Sequence, residues 1–206
     1  STPIKSSAAS DVYKRQELYK VVNSIFTSYT YILPVGEKEC WLVDCGDIDK
    51  VIEAGWKVKG VLLTHVHFDH IYGLNELMKY MPNVVVYTNT EGQQALQNPK
   101  WNFSEYHLDQ PNFVFDRPDA VRVIEKECWI SLDSVLSVFV LFTPGHENSC
   151  LSFVIDNMLF TGDSYIPGVN VVTILPRSNK EEAAFSLDRL RKLEESGFII
   201  CPGHLV

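Results

Sequence analysis

The sequence lacks the features of a membrane protein, a disulfide scaffold and a nucleic-acid-binding protein. No uninterrupted apolar run in its 206 residues approaches the roughly 20 residues needed to cross a bilayer. Its five cysteines form no CxxC pair, which favours small buried side chains in a reducing cytoplasm over disulfides or a thiolate zinc site. A formal net charge of −8 leaves no basic excess for binding phosphates. These absences predict a cytoplasmic protein that acts on a small molecule, with neither a nucleic acid nor a membrane as partner.

Length and composition predict one globular domain. A hydrophobic content of 46% is enough for a sizeable core in a chain of this length. Residues 1–16 are rich in Ser, Ala and Lys and have no hydrophobic period. We therefore expect a disordered or non-native tail there and the domain over residues 17–206.

The order of predicted elements indicates an α/β fold. Strand-like segments come first, then alternating strands and helices, then strands again, and finally a helix and a strand. The simplest packing of this order is two mixed β-sheets face to face with helices on the outside. Such a sandwich brings strand ends from both halves of the chain to one edge, where residues distant in sequence can form a site.

Three local patterns give further structural expectations. Apolar residues at helical spacing predict one amphipathic helix over residues 71–81. The segment SNKE predicts a capping box between Ser178 and Glu181 at the start of the last helix. Residues 98–119 form a long irregular stretch, which we expect to be a wall or lid of a site because such loops in compact domains are usually functional.

The segment LLTHVHFDHIYG carries three of the six histidines within six positions. Residues two apart on a strand face the same side, so His65 and His67 can aim at one point as the strand ends. Asp69 and His70 lie at the turn into the next helix and can serve a second point nearby. The alternative is a hydrogen-bonded helix entry with Asp69 as the N-cap. A cluster of imidazoles buried without partners would be costly, which favours metal ligation.

A pattern of hydrophobic strand, glycine turn and ligand-type residue occurs three times in the rest of the chain. FVLFTPGH ends on His146, NMLFTGD on Asp163 and FIICPGH on His204. In each, a hydrophobic strand leads through a glycine to a side chain that binds metals. Together with the first cluster, these residues predict a metal site.

The HxHxDH, PGH, TGD and terminal PGH motifs, in this order from about Glu17 to the end, resemble the metallo-β-lactamase superfamily. Within it the chain is similar to the glyoxalase II-type, hydroxyacylglutathione hydrolase-like branch. The resemblance implies a four-layer αβ/βα sandwich with a two-metal site on its edge. It implies the following ligands: His65, His67 and His146 for the first metal, Asp69, His70 and His204 for the second, and Asp163 bridging both.

Four further residues are weaker candidates for the site. Asp44 matches a family position and is interpreted as orienting a ligand histidine, or else as a turn residue ahead of Gly46. Tyr165 is either a donor to a developing oxyanion or a packing residue. Asn148 either contacts a substrate oxygen or forms a turn, and His107 matches none of the ligand elements and is expected on the surface or in the wall of the site.

The resemblance implies a metal-dependent hydrolase in which hydroxide shared by two divalent ions attacks a small ester or thioester. Asp69 and Asp163 are the predicted catalytic carboxylates, and Asp69 would also orient the hydroxide. Zinc is the expected metal, with iron or manganese as alternatives. Other readings are a lactonase or β-lactamase-like hydrolase, a mononuclear iron persulfide dioxygenase, or a phosphodiesterase or nuclease. The nearest basic residues in sequence, Arg177 and Lys180, are too few to predict glutathione as the leaving group.

Overall fold

The computed structural model describes residues 18–205. The tail predicted over residues 1–16 lies outside this range. The strands are β1 (Tyr19–Val22), β2 (Tyr29–Pro34), β3 (Glu39–Val43), β4 (Lys57–Leu62), β5 (Val85–Thr88), β6 (Val121–Val123), β7 (Cys128–Ser131), β8 (Ser137–Phe142), β9 (Leu151–Ile155), β10 (Met158–Gly162) and β11 (Ile199–Pro202). The helices are α1 (Ile48–Glu53), α2 (Phe68–Ile71), α3 (Leu74–Tyr80), α4 (Thr90–Ala95) and α5 (Lys180–Glu195), with single 3-10 turns at Ser104–Tyr106 and Pro118–Ala120.

The strands form two mixed sheets. The first has the order β1-β2-β3-β4-β5-β6 and the second β11-β10-β9-β8-β7. In the first sheet β1, β2 and β3 pair antiparallel, whereas β3 to β6 pair parallel through connections that carry helices. In the second sheet only β10 and β11 are parallel. Parallel pairs need such crossovers, because a short turn can only reverse the chain.

Alternation along the strands divides the core into three layers. On β3, Cys40 and Leu42 face the helices, whereas Trp41 and Val43 face the second sheet. The second sheet behaves in the same way, with its outer face packed on Leu190 of α5. Both faces of each sheet are therefore covered, as the period of two demands. The expected α/β sandwich of two mixed sheets with outer helices is confirmed.

Two local expectations are wrong. The helix predicted over residues 71–81 is divided into α2 and α3 at Gly73. A β-carbon on Gly73 would lie 2.0 Å from the carbonyl oxygen of Gly46, so the chain bends where two backbones meet and only glycine fits. The predicted capping box is also absent: Asn179 caps α5 by accepting from the backbone N–H groups of Glu181 and Glu182.

Strand β7 was not predicted. It lies at the edge of the second sheet, and its side chains alternate between half-buried and exposed. Its four residues, Cys-Trp-Ile-Ser, are too few to show the alternation that marks a strand. Among the described residues, no helix combines the length and the apolar character required to cross a membrane.

Candidate metal centre

The predicted ligands come from strand ends of both sheets. His65 and His67 follow β4 of the first sheet, and His146, Asp163 and His204 follow β8, β10 and β11 of the second. The two edges are joined where the backbone N–H of Tyr29 donates to the carbonyl of Gly203 at 2.7 Å. The sandwich therefore brings residues more than a hundred positions apart to one place.

A first group is formed by His65, His67 and His146. One nitrogen from each lies within 4.8 Å of the others, and all three side chains are buried. Nδ1 of His67 is 3.1 Å from Nε2 of His146. The latter nitrogen is also 3.6 Å from a carboxylate oxygen of Asp163, so this carboxylate borders the group.

A second group is formed by Asp69, His70 and His204. Nε2 of His70 lies 3.2 Å from Nε2 of His204, and each nitrogen is 3.3 Å from Oδ2 of Asp69. Asp163 reaches this group as well, at 3.3 Å from His204 and 3.6 Å from His70. Asp163 is therefore the carboxylate that contacts both groups, and the side chain of Asp69 faces the cluster and does not cap α2.

Hydrogen bonds on the far side of the rings determine which nitrogen faces the cluster. Nδ1 of His146 is 3.0 Å from the carbonyl oxygen of Val172, and Nδ1 of His204 is 2.9 Å from that of Phe26. A carbonyl oxygen only accepts, so each Nδ1 carries a proton and donates it. The Nε2 lone pairs of these two histidines therefore point into the cluster whenever the rings are neutral.

Asp44 does the same for two other histidines. Its Oδ2 accepts from Nδ1 of His70 at 2.9 Å and from the hydroxyl of Thr64 at 2.7 Å. Its Oδ1 accepts from the backbone N–H of Thr64. Because the Thr64 hydroxyl donates its only proton to Asp44, the same oxygen, 3.2 Å from Nδ1 of His65, accepts from that ring. Asp44 thus orients His70 directly and His65 through Thr64.

The donor set fits divalent cations. Nε2 of His65 and Oδ1 of Asp163 are buried without a hydrogen-bond partner, a costly state that a cation would relieve. Ligand atoms at 2.0–2.1 Å from one tetrahedral zinc lie about 3.3 Å apart, close to the 3.1–3.3 Å separations within the two groups. Such close acceptor nitrogens require a proton or a cation between them.

The two groups differ in proton affinity. Burial lowers the pKa of His65, and it lowers that of His67 to about 3. Burial also opposes charge on His204, but its hydrogen bonds to Asp163 and Asp69 raise its pKa to about 10. Burial likewise opposes charge on His70, yet Asp69 and Asp44 raise its pKa. In the metal-free protein His65 and His67 are therefore neutral, whereas His204 holds a proton and the neighbours of His70 favour its charged form.

The four weaker candidates do not all lie at the cluster. Asp44 lies against the cluster, as described above. The hydroxyl of Tyr165 donates to Glu194 of α5 at 2.6 Å, so this tyrosine is placed for packing on the helix. Asn148 is exposed, and its backbone carbonyl accepts from Asn89. His107 contacts the rings of Phe26 and Phe68, at the wall that the irregular stretch forms.

The structure also places residues at the site that the sequence did not single out. The carbonyls of Phe26 and Val172 orient two histidines, but a backbone acceptor carries no residue-type signal. Glu147, fully buried next to His146, pairs with Arg177 at 2.6 Å. The two residues are 30 positions apart in sequence. A charged residue directly after a ligand suggests an ion pair, but the sequence spacing does not identify Arg177 as its partner.

Burial also limits Cys40 and Cys201 to packing. All five are free, and burial raises the pKa of Cys40 and of Cys201 to about 12. Thiolates are the reactive form of cysteine, so neither side chain is suited to act as a nucleophile near neutral pH.

Comparison with known proteins agrees with the motifs. The sequence profile described as the metallo-beta-lactamase superfamily matches residues 25–204. The hydroxyacylglutathione hydrolase of Buchnera aphidicola is 28% identical over 145 residues, which are 68% of this chain and 48% of that protein. A probable metallo-hydrolase of Streptococcus pyogenes is 29% identical over 197 residues, covering 91% of this chain and 83% of that protein.

The fold has a counterpart among solved structures. The crystal structure of the B3 metallo-β-lactamase BLEG-1 superposes with a TM-score of 0.80 at 22% identity and covers 92% of both chains. At this identity the likeness concerns the fold alone. The chain spans between 48% and 61% of the length of several hydroxyacylglutathione hydrolases that it matches.

Proposed function

The chain belongs to the metallo-β-lactamase superfamily, and from this membership and the geometry of the cluster we propose that it hydrolyses a small ester or thioester with two divalent metal ions. The observation that carries the proposal is the convergence of acceptor atoms. Four histidines are held by hydrogen bonds at Nδ1 so that Nε2 faces the cluster, and two carboxylates lie among them. In the first group, Nε2 of His65 is buried without a hydrogen-bond partner, and a bound cation would relieve this cost.

The ligands divide between the two ions as follows. His65, His67 and His146 would hold the first ion, Asp69, His70 and His204 the second, and Asp163 would contact both. Imidazole and carboxylate donors suit zinc, which is our first choice, with iron or manganese as alternatives. When bound, two such ions lower the pKa of water towards 7 and polarise a carbonyl oxygen.

The chain's own residues contribute charge and orientation. Asp69 and Asp163 provide negative charge that offsets the repulsion between two dications. Burial opposes the charged form of Asp163, but its contacts with His204 and His70 outweigh this effect and lower the pKa of its carboxyl group. Oδ2 of Asp69 faces His70 and His204, and its other oxygen would accept a hydrogen bond and so orient a nucleophilic oxygen. Asp44 keeps His70 and His65 in the ligating tautomer.

Ester or thioester cleavage is preferred over the other reactions of such sites for two reasons. Several relatives carry the name hydroxyacylglutathione hydrolase, which denotes a thioester substrate. The acidic net charge argues against polyanionic nucleic acids as substrates. The site residues also include no serine or cysteine in the role of nucleophile, which is consistent with direct attack by water.

Metal analysis combined with a panel of substrates tests the proposal. Thioesters, a lactone, a phosphodiester and a β-lactam are offered to the protein loaded with zinc, iron or manganese and to the protein stripped by chelation. We expect about two metal ions per chain, thioester or ester turnover that rises with pH through an apparent pKa near 7, and loss of turnover on chelation. Turnover of the phosphodiester alone, or one iron with sulfur-dependent oxygen uptake, would overturn it.

A further inference from the structure

Apolar side chains stand at the outer side of three ligand histidines. We call Phe26, Phe103, Tyr106, Val169 and Val172 the apolar rim. Each is carried by one of three loops: residues 24–28 between β1 and β2, residues 103–113 of the irregular stretch, and residues 164–175 after β10. Exposed apolar groups beside a cluster of this kind are unusual for solvent-facing loops and indicate a surface that binds something apolar.

Phe26 is fixed beside the second group. Its carbonyl oxygen accepts from Nδ1 of His204, while its ring is 66% exposed and lies 5.3 Å from the ring of His107. The backbone of Phe26 has a φ of 51°, a left-handed conformation that is unfavourable for a bulky side chain. The turn thus holds a large aromatic ring in solvent at the site, and strain of this kind is concentrated at functional positions.

Phe103 and Tyr106 occupy the side next to the first group. The ring of Phe103 lies 4.7 Å from that of His67 and 5.5 Å from that of Tyr106. Phe103 also has a left-handed φ, of 66°, and Tyr106 is 54% exposed. A second strained aromatic residue therefore packs on a ligand histidine and continues outward into an exposed ring.

The third side is closed by aliphatic side chains. Val169 and Val172 line a small cavity together with His146 and Asp163. Val172 is 45% exposed, although its carbonyl is tied to His146. The cavity thus places the first-group ligand His146 and the shared carboxylate of Asp163 beside an apolar wall.

The charge of these loops excludes one kind of substrate. The three loop segments contain no Lys or Arg, whereas residues 103–113 carry Glu105 and Asp109. The nearest cation in sequence, Arg177, is held by the Glu147 carboxylate and by the ring of Trp101, 4.5 Å from the guanidinium carbon. Carboxylates of a substrate would therefore find acidic neighbours and no described cationic partner on the rim.

From the rim and its charge we infer that the site takes esters or thioesters with an apolar acyl group and an uncharged leaving group, and discriminates against leaving groups that carry carboxylates. The inference rests on the proposed hydrolysis and specifies its substrate class. The acyl chain would lie against Phe26, Phe103 and Val172, where each buried methylene adds binding energy.

A pair of thioesters that share one acyl group provides the test. S-hexanoyl-N-acetylcysteamine has a neutral leaving group, and S-hexanoylglutathione has a leaving group with two carboxylates. We expect kcat/KM to be about tenfold higher for the neutral thioester, and about tenfold higher for the hexanoyl than for the acetyl form of it. Equal or better turnover of the glutathione thioester would overturn the inference.

Rim variants test whether these residues carry the preference. Phe26→Asn tolerates the left-handed backbone. Because the carbonyls of Phe26 and Val172 orient ligand histidines, Phe26→Asn and Val172→Asn are compared with the wild type at equal metal loading, and both should reduce the hexanoyl-over-acetyl preference about threefold to tenfold through KM. The control is Phe185→Asn, because Phe185 of α5 is equally exposed at 66% and lines a different groove with Glu127 and Phe142. A preference unchanged in both rim variants, or equally reduced in the control, would contradict the role of the rim.

A second readout separates this inference from the proposed function. If the metal-loaded protein hydrolyses none of the thioesters, the proposed reaction is wrong. The affinities of the same two hexanoyl thioesters, measured by calorimetry, then test whether the apolar rim binds an acyl group. Tighter binding of the neutral thioester, weakened in Phe26→Asn, would support the apolar subsite. Equal or tighter binding of the glutathione thioester would overturn it.

Discussion

Arg177 donates from Nε to Oε1 of Glu147 at 2.6 Å, and the Glu147 carboxylate is completely buried. The other carboxylate oxygen accepts from the backbone and hydroxyl of Ser149. The neighbouring Ser178 hydroxyl donates to the carbonyl of His146 at 2.6 Å. The ion pair therefore joins the segment before α5 to the residue that follows a ligand histidine.

We expect Glu147→Gln to weaken both the fold and the first metal position. Loss of the Glu147 charge leaves the largely buried Arg177 guanidinium without its counter-charge, which costs about 3 kcal/mol of unfolding free energy. Because the same segment supplies the carbonyl that orients His146, affinity for the first metal should fall about tenfold. Denaturant unfolding of the metal-free variant and metal titration measure the two effects.

The surface pair of Arg189 and Glu127, 2.8 Å apart, is the matched control. It also anchors α5 but is about one-third exposed, so Glu127→Gln should change stability by less than about 1 kcal/mol and leave metal affinity unchanged. If Glu147→Gln loses stability but binds metal like the wild type, the buried pair supports the fold and does not position His146.

A second prediction concerns Asp44→Asn. The backbone N–H of Thr64 can only donate, so the amide oxygen must take the place of Oδ1 and the NH₂ group that of Oδ2. The NH₂ group then faces Nδ1 of His70, which must accept and move its proton to Nε2, the atom needed for the metal. The left-handed φ of 61° at Asp44 suits Asn equally well, so the fold should persist.

Metal titration followed by unfolding checks this. We expect the affinity of the second position to fall about tenfold to a hundredfold and the first position to weaken as well, since the NH₂ group also turns the Thr64 hydroxyl towards His65. Asp47→Asn is the control, because Asp47 is hydrogen-bonded to Ser24 and Tyr72 away from the ligands. Unaltered metal binding in Asp44→Asn would refute the tautomer argument.

How far the sequence predicts this site depends on the type of atom involved. Side-chain ligands such as His65 and Asp163 are visible because the residue type and the preceding strand and glycine together indicate metal chemistry. The acceptors at Phe26 and Val172 are backbone carbonyls, for which every residue is equivalent, so only the fold identifies them. The sandwich itself follows from alternation along the strands, as on β3, whereas β7 was not predicted because it has only four residues, too few to show an alternating pattern.

The same limit applies to backbone contacts between elements. The division of the predicted helix at Gly73 arises from the approach of Gly46, which is distant in sequence and has no side chain to signal the contact. Likewise Tyr165 follows a ligand by two residues, but a neighbour in sequence need not face the site, and its hydroxyl meets α5.

A third prediction concerns proton release on metal binding. At pH 8 His204, with a pKa of about 10 in the metal-free protein, holds a proton that a metal must displace, whereas His67, with a pKa of about 3, holds none. Filling the second position should therefore release about one proton from His204, and filling the first should release none from His65 or His67. Calorimetric titration in buffers of different ionisation enthalpy counts these protons.

The sign of the effect on stability is fixed by the same shift. Because the pKa of His204 is raised on folding, its charged form stabilises the metal-free protein fully below pH 6.5, and this contribution is lost as the pH rises through about 10. His204→Ala should remove one released proton and flatten the stability profile between pH 6.5 and 10. An unchanged proton count in this variant would show that His204 is not protonated in the metal-free state.

The last prediction separates the two metal positions through Asp163. This carboxylate contacts nitrogens of both groups, so its removal takes away the anion that offsets repulsion between the ions. In Asp163→Ala the first position keeps three histidines, a set that can hold zinc and a water. We expect about one metal ion per chain, loss of most hydrolysis and a retained fold.

His107→Ala is the control. The ring of His107 contacts Phe26 and Phe68, so the variant without it should keep both ions. Metal content of the two purified variants decides the assignment: two tightly held ions in Asp163→Ala would show that this carboxylate does not bridge, and equal loss in His107→Ala would mean that a ligand has been overlooked.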